Sequence, residues 1–291
     1  MSDAAELTAE QAVSLLTDAS GDQYALVGRL SGGETGAHEV IGPAGRRFVV
    51  KWDSKPRSQI VRGEAVVLSE RLRAEAGWPV PLQTVVDIQG VRLVLQEFMP
   101  GRPVTELSHL LVDELLELHD RRLGLARAED PVHWPFALIE TLTTGGESYC
   151  LHSSLRDYDV RSRSLVARIE AFGHSIEASD LDGNDIVHWD LHPGNMLMDG
   201  GALSAIVDTD FAVVGDARFD LVMLAVTSLT VPCDEEVRSS LFAAAFDHLD
   251  EIRTQAYLAH LFLRFLDWPI RKGRPDEIEF WLGQSDEMLR I

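Results

Sequence analysis

The spacing of apolar and polar residues divides the chain into an early part with strand patterns and a later part with helical patterns. Strand patterns, in which apolar residues alternate or run together, occur at residues 24–30, 48–52 and 91–98. Apolar residues recur with the spacing of a helix face over residues 61–76, 107–123 and 160–176 and from 233 onward. The pattern predicts an N-terminal sheet with one main helix, followed by a mostly helical region.

A cluster of chain-breaking residues, Met99-Pro100-Gly101-Arg102-Pro103, ends the strand pattern of residues 91–98. Clusters of Pro and Gly between periodic segments mark loops and boundaries. Strands precede this cluster and helices follow it. We therefore predict the α+β class with two lobes, an antiparallel sheet lobe at residues 1–100 and a mostly helical lobe at residues 101–291.

Polar residues suited to chemistry concentrate in residues 186–211. A short apolar run gives way to the Pro-Gly-punctuated loop HWDLHPG, and Asn195 then opens a short strand. Asp199-Gly200-Gly201 fits a tight turn because glycine tolerates positive φ, and residues 202–207 return as the partner strand. The predicted hairpin carries Asp208 back beside Asn195.

Three residues of this stretch, Asp190, Asn195 and Asp208, suit phosphoryl transfer. An acid and an amide side by side supply the hard oxygen ligands that Mg²⁺ prefers. A second acid one loop away is placed to accept a proton from an attacking hydroxyl. The stretch therefore predicts a metal-assisted phosphotransferase site.

Composition narrows the class of partner. The chain has 291 residues, 45% of them hydrophobic, and a net charge of −21, which repels nucleic acid and attracts cations. No run of 18 apolar residues occurs and the first residues are acidic, so we expect a cytoplasmic protein with no membrane partner. No obligate protein partner is evident. Cys150 and Cys233 are interpreted as small buried hydrophobes.

Lysine is rare in this chain, which contains only Lys51, Lys55 and Lys272. Lys51 lies on a strand where an unpaired ammonium is costly, so a carboxylate partner is expected. Glu64, on the following helix, is the predicted partner, with Glu70 as the alternative because the sequence does not fix the inward face of the helix. A glycine-bearing turn at residues 31–36 precedes the strand of Lys51. The sequence contains neither a P-loop nor a GxGxxG motif.

Taken together, these features resemble the aminoglycoside phosphotransferase and choline kinase family, a branch of the protein-kinase-like fold. HWDLHPGN matches the H-x-D-x-x-x-x-N catalytic loop of that family. IVDTDF, followed by VGDARFDL, matches its later segment with the metal-binding Asp. The resemblance extends over about residues 25 to 225 and implies the two-lobed kinase-like fold.

The resemblance also implies a role for each catalytic position. Asp190 becomes the base that deprotonates the acceptor hydroxyl, and His188 braces the loop. Asn195 and Asp208 become Mg²⁺ ligands. Lys51 pairs with the phosphates of ATP and is held by Glu64.

Further positions are implied to bind the nucleotide. The turn that contains Ser31, Gly32 and Gly33 would close over the triphosphate. Gln96 falls at the gatekeeper, so Glu97 and Met99 would present a backbone carbonyl and amide to adenine. ATP is the expected nucleotide, with GTP left open.

The chain departs from protein kinases in its glycine turn and in Asp208-Thr209-Asp210, which replaces D-F-G. No A-P-E segment follows, which argues against a protein substrate. The expected acceptor is a hydroxyl of a cationic antibiotic, an aminoglycoside or a basic cyclic peptide, with resistance as the outcome. A metabolic kinase of a small alcohol (choline-like, sugar or amino-acid hydroxyl) is the alternative, and a metal-dependent hydrolase built on His188, Asp190 and His192 is a second one.

Acidic and aromatic residues are the candidates for binding a cationic acceptor. The resemblance implies an acceptor beside the catalytic loop, where acids hold amino groups, and Asp210 is one such acid. Asp157 is another, and Asp267 with Trp268 offers a charge beside an aromatic face.

Overall fold

The structure is a computed structural model, and it describes residues 7–30, 36–53, 56–146 and 150–291, with side chains for these except 53 and 56–60. The helices are α1 (Ala9–Ser20), α2 (Pro56–Glu75), α3 (His109–Arg121), α4 (Trp134–Thr143), α5 (His152–Tyr158), α6 (Val160–Gly173), α7 (Arg218–Thr227), α8 (Glu235–Phe246), α9 (Glu251–Lys272) and α10 (Pro275–Met288). The strands are β1 (Ala25–Arg29), β2 (His38–Ile41), β3 (Arg47–Asp53), β4 (Gln83–Ile88), β5 (Val91–Glu97), β6 (Arg102–Pro103), β7 (Asp185–Val187), β8 (Met196–Asp199), β9 (Ala202–Ile206) and β10 (Val213–Gly215). Within the described ranges, no helix combines the length and apolar character that crossing a bilayer requires.

The chain divides into two compact units. The first unit is Met1–Arg122 with His188–Ala212, and the second unit is Leu123–Val187 with Val213–Ile291. This division keeps residues 101–122 and the catalytic stretch with the N-terminal sheet, whereas the sequence places its boundary after residue 100. The lobe boundary at residue 100 stays a prediction.

The first unit is built on a five-stranded sheet in the order β1-β2-β3-β5-β4, in which neighbouring strands are antiparallel. On one face, Val40, Val50 and Leu93 pack with the apolar residues of α1. Helix α1 begins with a capping box in which Thr8 and Gln11 exchange side-chain and backbone hydrogen bonds. Lys51 neighbours Val50 on β3 and therefore points to the opposite face.

The chain-breaking cluster after β5 is fastened to the catalytic hairpin. Strand β6 pairs antiparallel with β8, and the Ser204 hydroxyl lies 2.7 Å from the Pro100 carbonyl oxygen, to which it donates. Gly101 has φ +129°, and a Cβ there would lie 2.9 Å from the Met198 carbonyl oxygen. Only glycine fits this close approach, so the cluster ends the strand and also fixes the hairpin.

The second unit is mostly helical around a core of aromatic residues. Trp134 packs edge-to-face on Phe219 and Tyr257, with centroid distances of 5.0 and 5.8 Å. A short antiparallel pair, β7 with β10, completes the unit. The predicted α+β class, with an antiparallel N-terminal sheet and a mostly helical C-terminal region, is confirmed.

Candidate active site

The loop between β7 and β8 holds Asp190 and Asn195 together. The Asn195 amide nitrogen donates to the Asp190 carbonyl oxygen at 2.9 Å and lies 3.3 Å from the Asp190 carboxylate oxygen Oδ2. This arrangement assigns the amide nitrogen to Asp190, which leaves Asn195 Oδ1 without a hydrogen-bond partner among the described residues. The loop therefore orients a carboxylate and frees an amide oxygen.

His188 braces this loop from a fully buried position. Its Nδ1 accepts from the Asp190 backbone N–H at 3.2 Å, and its Nε2 lies 3.0 Å from the Val207 carbonyl oxygen. Both contacts are satisfied when Nε2 carries the proton and Nδ1 does not. The imidazole ties this loop to the end of the hairpin, and its role in catalysis stays a prediction.

The predicted hairpin is present and brings Asp208 beside Asn195. Strands β8 and β9 pair antiparallel around a turn in which Gly200 and Gly201 have φ values of +58° and +88°. The Val207 N–H donates to the Asn195 carbonyl oxygen at 2.8 Å. Asp208 itself has φ +63°. This left-handed conformation is energetically unfavourable for most residues other than glycine, and it is concentrated at functional sites.

Lys51 reaches this hairpin from β3. Its Nζ lies 2.7 Å from Asp208 Oδ1 and 3.1 Å from Asp210 Oδ2. Arg62, on α2, places Nη1 2.9 Å from the same Asp210 oxygen. Two cations and two carboxylates thus form one neutral cluster within the first unit.

Burial and charge act in opposite directions on this cluster. Burial by itself favours the neutral forms, but the carboxylates of Asp210 and Asp208 raise the pKa of Lys51 above its ordinary value. Burial likewise opposes ionisation of Asp208, yet the Lys51 ammonium lowers the pKa of that carboxyl. Lys51 and Asp208 are therefore both ionised near neutral pH.

The predicted pairing of Lys51 with Glu64 is wrong in this structure. Among the described residues, Lys51 contacts the carboxylates of Asp208 and Asp210 instead. Glu64 lines a groove of about 410 Å³ that also includes Val85 of β4. Val85 pairs with Val94, and Val94 pairs with Lys51, so the part of this groove formed by β4 lies two strands away from Lys51. The phase of α2, which spacing alone does not determine, turns Arg62 toward the hairpin.

The oxygen donors needed for a divalent cation are present. Asp208 uses Oδ1 for Lys51, its Oδ2 has no hydrogen-bond partner among the described residues, and its side chain is 34% exposed. The free Asn195 oxygen comes from the same hairpin. Mg²⁺ in proteins is held by one or two such side chains plus substrate phosphates and water, so this donor set fits it.

The segment after β5 has one backbone donor that bears on the predicted adenine contacts. The Glu97 N–H donates to the Leu82 carbonyl oxygen at 2.9 Å. In the part of the chain that the structure describes, the Met99 N–H donates to no protein acceptor. Adenine recognition by Glu97 and Met99 stays a prediction. Ser31, Gly32 and Gly33, predicted to cover the phosphates, lie outside the described residues.

Comparison with known proteins shows the family of this chain. A sequence model of the phosphotransferase enzyme family matches residues 27–255. The chain belongs to this family. No curated protein matches the sequence.

Solved structures of the same fold include enzymes that phosphorylate different small molecules. A thermostable mutant of aminoglycoside phosphotransferase APH(4)-Ia, in a ternary complex with ADP and hygromycin B, has a TM-score of 0.64 and 16% identity over 96% of this chain and 97% of that chain. Amicoumacin kinase hAmiN, with AMP-PNP, Ca²⁺ and Ami, has a TM-score of 0.59 and 16% identity over 90% and 88%. Choline kinase LicA from Streptococcus pneumoniae has a TM-score of 0.58 and 14% identity over 90% and 93%. At these identities the likeness shows the fold alone.

Family membership also bears on the hydrolase alternative. The described residues contain no cluster of three or more His, Cys, Asp or Glu side chains placed to hold a metal ion. His192, which that alternative needs, instead accepts the Gly194 N–H at its Nδ1, and its Nε2 lies 3.8 Å from Asp190 Oδ2. The hydrolase alternative is not supported.

The residues predicted to bind the acceptor fall into two groups. Asp210 is 4% exposed and bonded to Lys51 and Arg62, so its assignment to the acceptor is corrected. Asp267 is 1% exposed and accepts from Ser154 and Arg271, which removes its charge from reach of a ligand.

Trp268 is similarly engaged, because Arg274 lies over its ring at 4.2 Å and Lys272 at 5.9 Å. The predicted cation-binding pair of Asp267 and Trp268 is therefore occupied by cations of its own chain. Asp157 is exposed on α5, and its contact with the acceptor stays a prediction.

Sequence reasoning missed Arg62 and the pair formed by Gln83 and Thr209, in which Gln83 Nε2 donates to the fully buried Thr209 hydroxyl at 2.8 Å. The signal for Arg62 was its position two residues before Glu64, on the helix already expected to face Lys51. No local pattern pointed to Gln83, which lies 126 residues from Thr209.

Proposed function

We propose that this protein transfers the γ-phosphoryl group of ATP to a hydroxyl of a small cationic molecule. The observation that carries the proposal is the arrangement of Asp190, Asn195, Asp208 and Lys51 within one compact unit. Such an arrangement acts by positioning and by charge, which is how phosphoryl transfer is catalysed.

Each side chain has a task in this proposal. Asp190, oriented by the Asn195 amide nitrogen, accepts the proton of the acceptor hydroxyl. The hydroxyl oxygen bonds to the γ-phosphorus as the bond between that phosphorus and the ADP oxygen breaks. Lys51 holds the phosphates and offsets their charge. Asn195 and Asp208 would hold Mg²⁺, which when bound neutralises charge that develops on the phosphate oxygens.

The acceptor we propose is a cationic antibiotic, an aminoglycoside or a basic cyclic peptide, with resistance as the outcome. The net charge of −21 attracts such a molecule. Solved proteins of this fold include complexes with hygromycin B and with amicoumacin, which supports this class.

The second candidate is a metabolic kinase that phosphorylates a choline-like or other small alcohol. The specific observation in its favour is the fold shared with choline kinase LicA over 90% of this chain. Both candidates use the same catalytic groups and differ in the charge and size of the acceptor.

A nucleotide-consumption screen over basic antibiotics and small amino alcohols tests the proposal. We expect ADP to form with one acceptor class, to stop when Mg²⁺ is chelated, and to fall by about 10² or more in the Asp190→Ala variant, the usual scale for a lost general base. Unchanged turnover in that variant would exclude Asp190 as the base.

The same screen separates the two candidates. For a polycationic acceptor KM should rise steeply with added salt, because exposed charge pairs are screened. A KM that does not respond to salt indicates a neutral or singly charged alcohol. Replacing ATP with GTP in this assay settles the choice of nucleotide.

A further inference from the structure

One carboxylate oxygen of Asp210 contacts the side-chain cations of both Lys51 and Arg62. Lys51 Nζ lies 3.1 Å from Asp210 Oδ2, and Arg62 Nη1 lies 2.9 Å from it. The three side chains are 8%, 6% and 3% exposed for Lys51, Arg62 and Asp210 respectively. Buried charges are retained only where they are paired, so the position of each depends on the other two.

The two carboxylates that contact Lys51 differ in their exposure to solvent. Asp208 is 34% exposed and has one oxygen available, whereas Asp210 is almost completely buried. A metal ion at the available Asp208 oxygen and a phosphate at Lys51 both compete with the contact between these two side chains, so we expect ligand binding to weaken it. Because Asp210 is only 3% exposed, it offers almost no surface to a ligand, and we expect its contact with Lys51 to persist.

The segment that bears Asp210 is fixed from two elements of the first unit. Arg62 holds it from α2, and Gln83 of β4 holds the adjacent Thr209 through its hydroxyl at 2.8 Å. Thr209 is fully buried. The Asp210 carboxylate is thus held in place and can fix the position of the flexible Lys51 side chain.

We propose that Asp210, fixed by Arg62, is the positioning residue that holds Lys51 for the nucleotide phosphates, the role that the sequence pattern gave to Glu64. Asp208 is the exchangeable partner of Lys51, and it is released when metal and nucleotide bind. This inference rests on the proposed function for its consequence in catalysis. The anchoring itself is a property of the nucleotide-free protein.

The first readout is the chemical reactivity of Lys51 in the absence of nucleotide. Trace acetylation followed by peptide mass spectrometry reports Lys51 against Lys272 in the same molecule, which is practical because the chain has three lysines. The variant is the double substitution Arg62→Met with Asp210→Asn, since removing one positive and one negative charge avoids an unpaired buried ion. We expect Lys51 to label about tenfold faster than in the wild type, because its ammonium loses one of its two carboxylate partners and keeps Asp208.

The second readout separates binding from turnover. In the double variant we expect the Kd for MgATP to weaken about tenfold, with a smaller fall in kcat at saturating ATP, because Asp190 is untouched. Arg62→Lys keeps a cation beside Asp210 and should retain most of both wild-type properties. Thermal unfolding of the double variant shows whether its losses come from general unfolding.

Two further variants provide a control and test Glu64 as the alternative partner of Lys51. Asp199→Asn, on the exposed turn of the same hairpin, is the matched control and should behave like the wild type. If Glu64→Gln accelerates Lys51 labelling and the double variant does not, the proposal is overturned. It is overturned as well if the double variant labels at the wild-type rate.

The outcomes also distinguish this proposal from the proposed function. If Lys51 labelling responds as expected but no acceptor or nucleotide is consumed, the anchor stands and the kinase proposal fails. If ATP is consumed and the double variant has wild-type labelling and affinity, the kinase proposal stands and the anchor fails.

Discussion

In the first unit, Asp208 and Asp210 share Lys51, and Asp210 also contacts Arg62. In the second unit, Asp216 is surrounded by Arg218, Arg253 and the hydroxyl of Tyr257. Asp216 is 3% exposed, and both of its carboxylate oxygens are occupied. Its Oδ1 accepts from Arg218 N and Nε at 3.0 and 2.9 Å. Its Oδ2 accepts from Arg218 Nη2 at 2.8 Å and from the Tyr257 hydroxyl at 2.9 Å.

The difference lies in how completely each cluster is satisfied. Asp208 leaves one oxygen without a protein partner, is partly exposed and has a left-handed backbone. Burial and the charge of Asp216 raise the pKa of Tyr257 above its ordinary value, so its hydroxyl stays a donor. A closed cluster, in which every carboxylate oxygen has a protein partner, stabilises the fold. A cluster with an unpartnered oxygen and a strained backbone is suited to binding a ligand.

The same substitution in each cluster tests this contrast, and the larger effect is expected in the first unit. Asp208→Asn removes the charge that would hold the metal ion and should lower kcat by about 10² to 10³, the scale for losing one group that stabilises transition-state charge. The loss of stability should be only about 1 kcal/mol, since Lys51 retains Asp210. Steady-state kinetics and thermal unfolding of the same preparation measure both. Near wild-type turnover in Asp208→Asn would remove it from the site.

The opposite result is expected for Asp216→Asn in the second unit. The amide offers two donors where Arg218 and Tyr257 already donate, so we expect a loss of about 3 kcal/mol in stability, the usual cost of breaking a buried charged network. Turnover per folded molecule should change less than twofold. Urea denaturation with kinetics at low temperature measures the two, and Asp247→Asn, exposed at the end of α8, is the control. A large fall in kcat with unchanged stability would give Asp216 a catalytic task.

Sequence reasoning predicted correctly those parts of the structure that local patterns determine, the hairpin and the fold class; the catalytic roles stay predictions. The offsets of Asp190, Asn195 and Asp208 lie within one loop and one hairpin, and glycine in the turn fixes the return of the chain. The α+β class also follows from strand and helix periods, because each period is read over a few residues.

Sequence reasoning failed where distant elements meet. The partner of Lys51 depends on the phase of α2 and on which side chains the hairpin turns inward, and a shift of two residues separates Glu64 from Arg62. Asp216 and Tyr257 lie 41 residues apart, and no local pattern joins them. Asp267 was assigned to a ligand because an acid beside Trp268 resembles a cation site, but burial and Arg271 decide otherwise.

The smallest expected effect is a pH dependence of stability that comes from His260, a buried residue of the second unit. His260 is 1% exposed and packs against Phe219 at 5.4 Å. Burial, and to a lesser degree the charge of Arg264, lowers its pKa well below the ordinary value. The unfolded chain therefore takes up a proton near pH 6.5 while the folded protein does not, so stability is present above that pH and is lost as the pH falls below it.

At pH 5.5 this proton uptake should cost the wild type about 1.4 kcal/mol relative to pH 7.5. His260→Leu should lack this part of the pH dependence, because carboxylates shared by both proteins cancel in the comparison. Urea midpoints at the two pH values measure it, and His174→Gln, on the exposed end of α6, should keep the wild-type difference. If His260→Leu and wild type lose stability equally, the imidazole is protonated in the folded state, and the second unit carries a buried charge that is not part of a closed cluster.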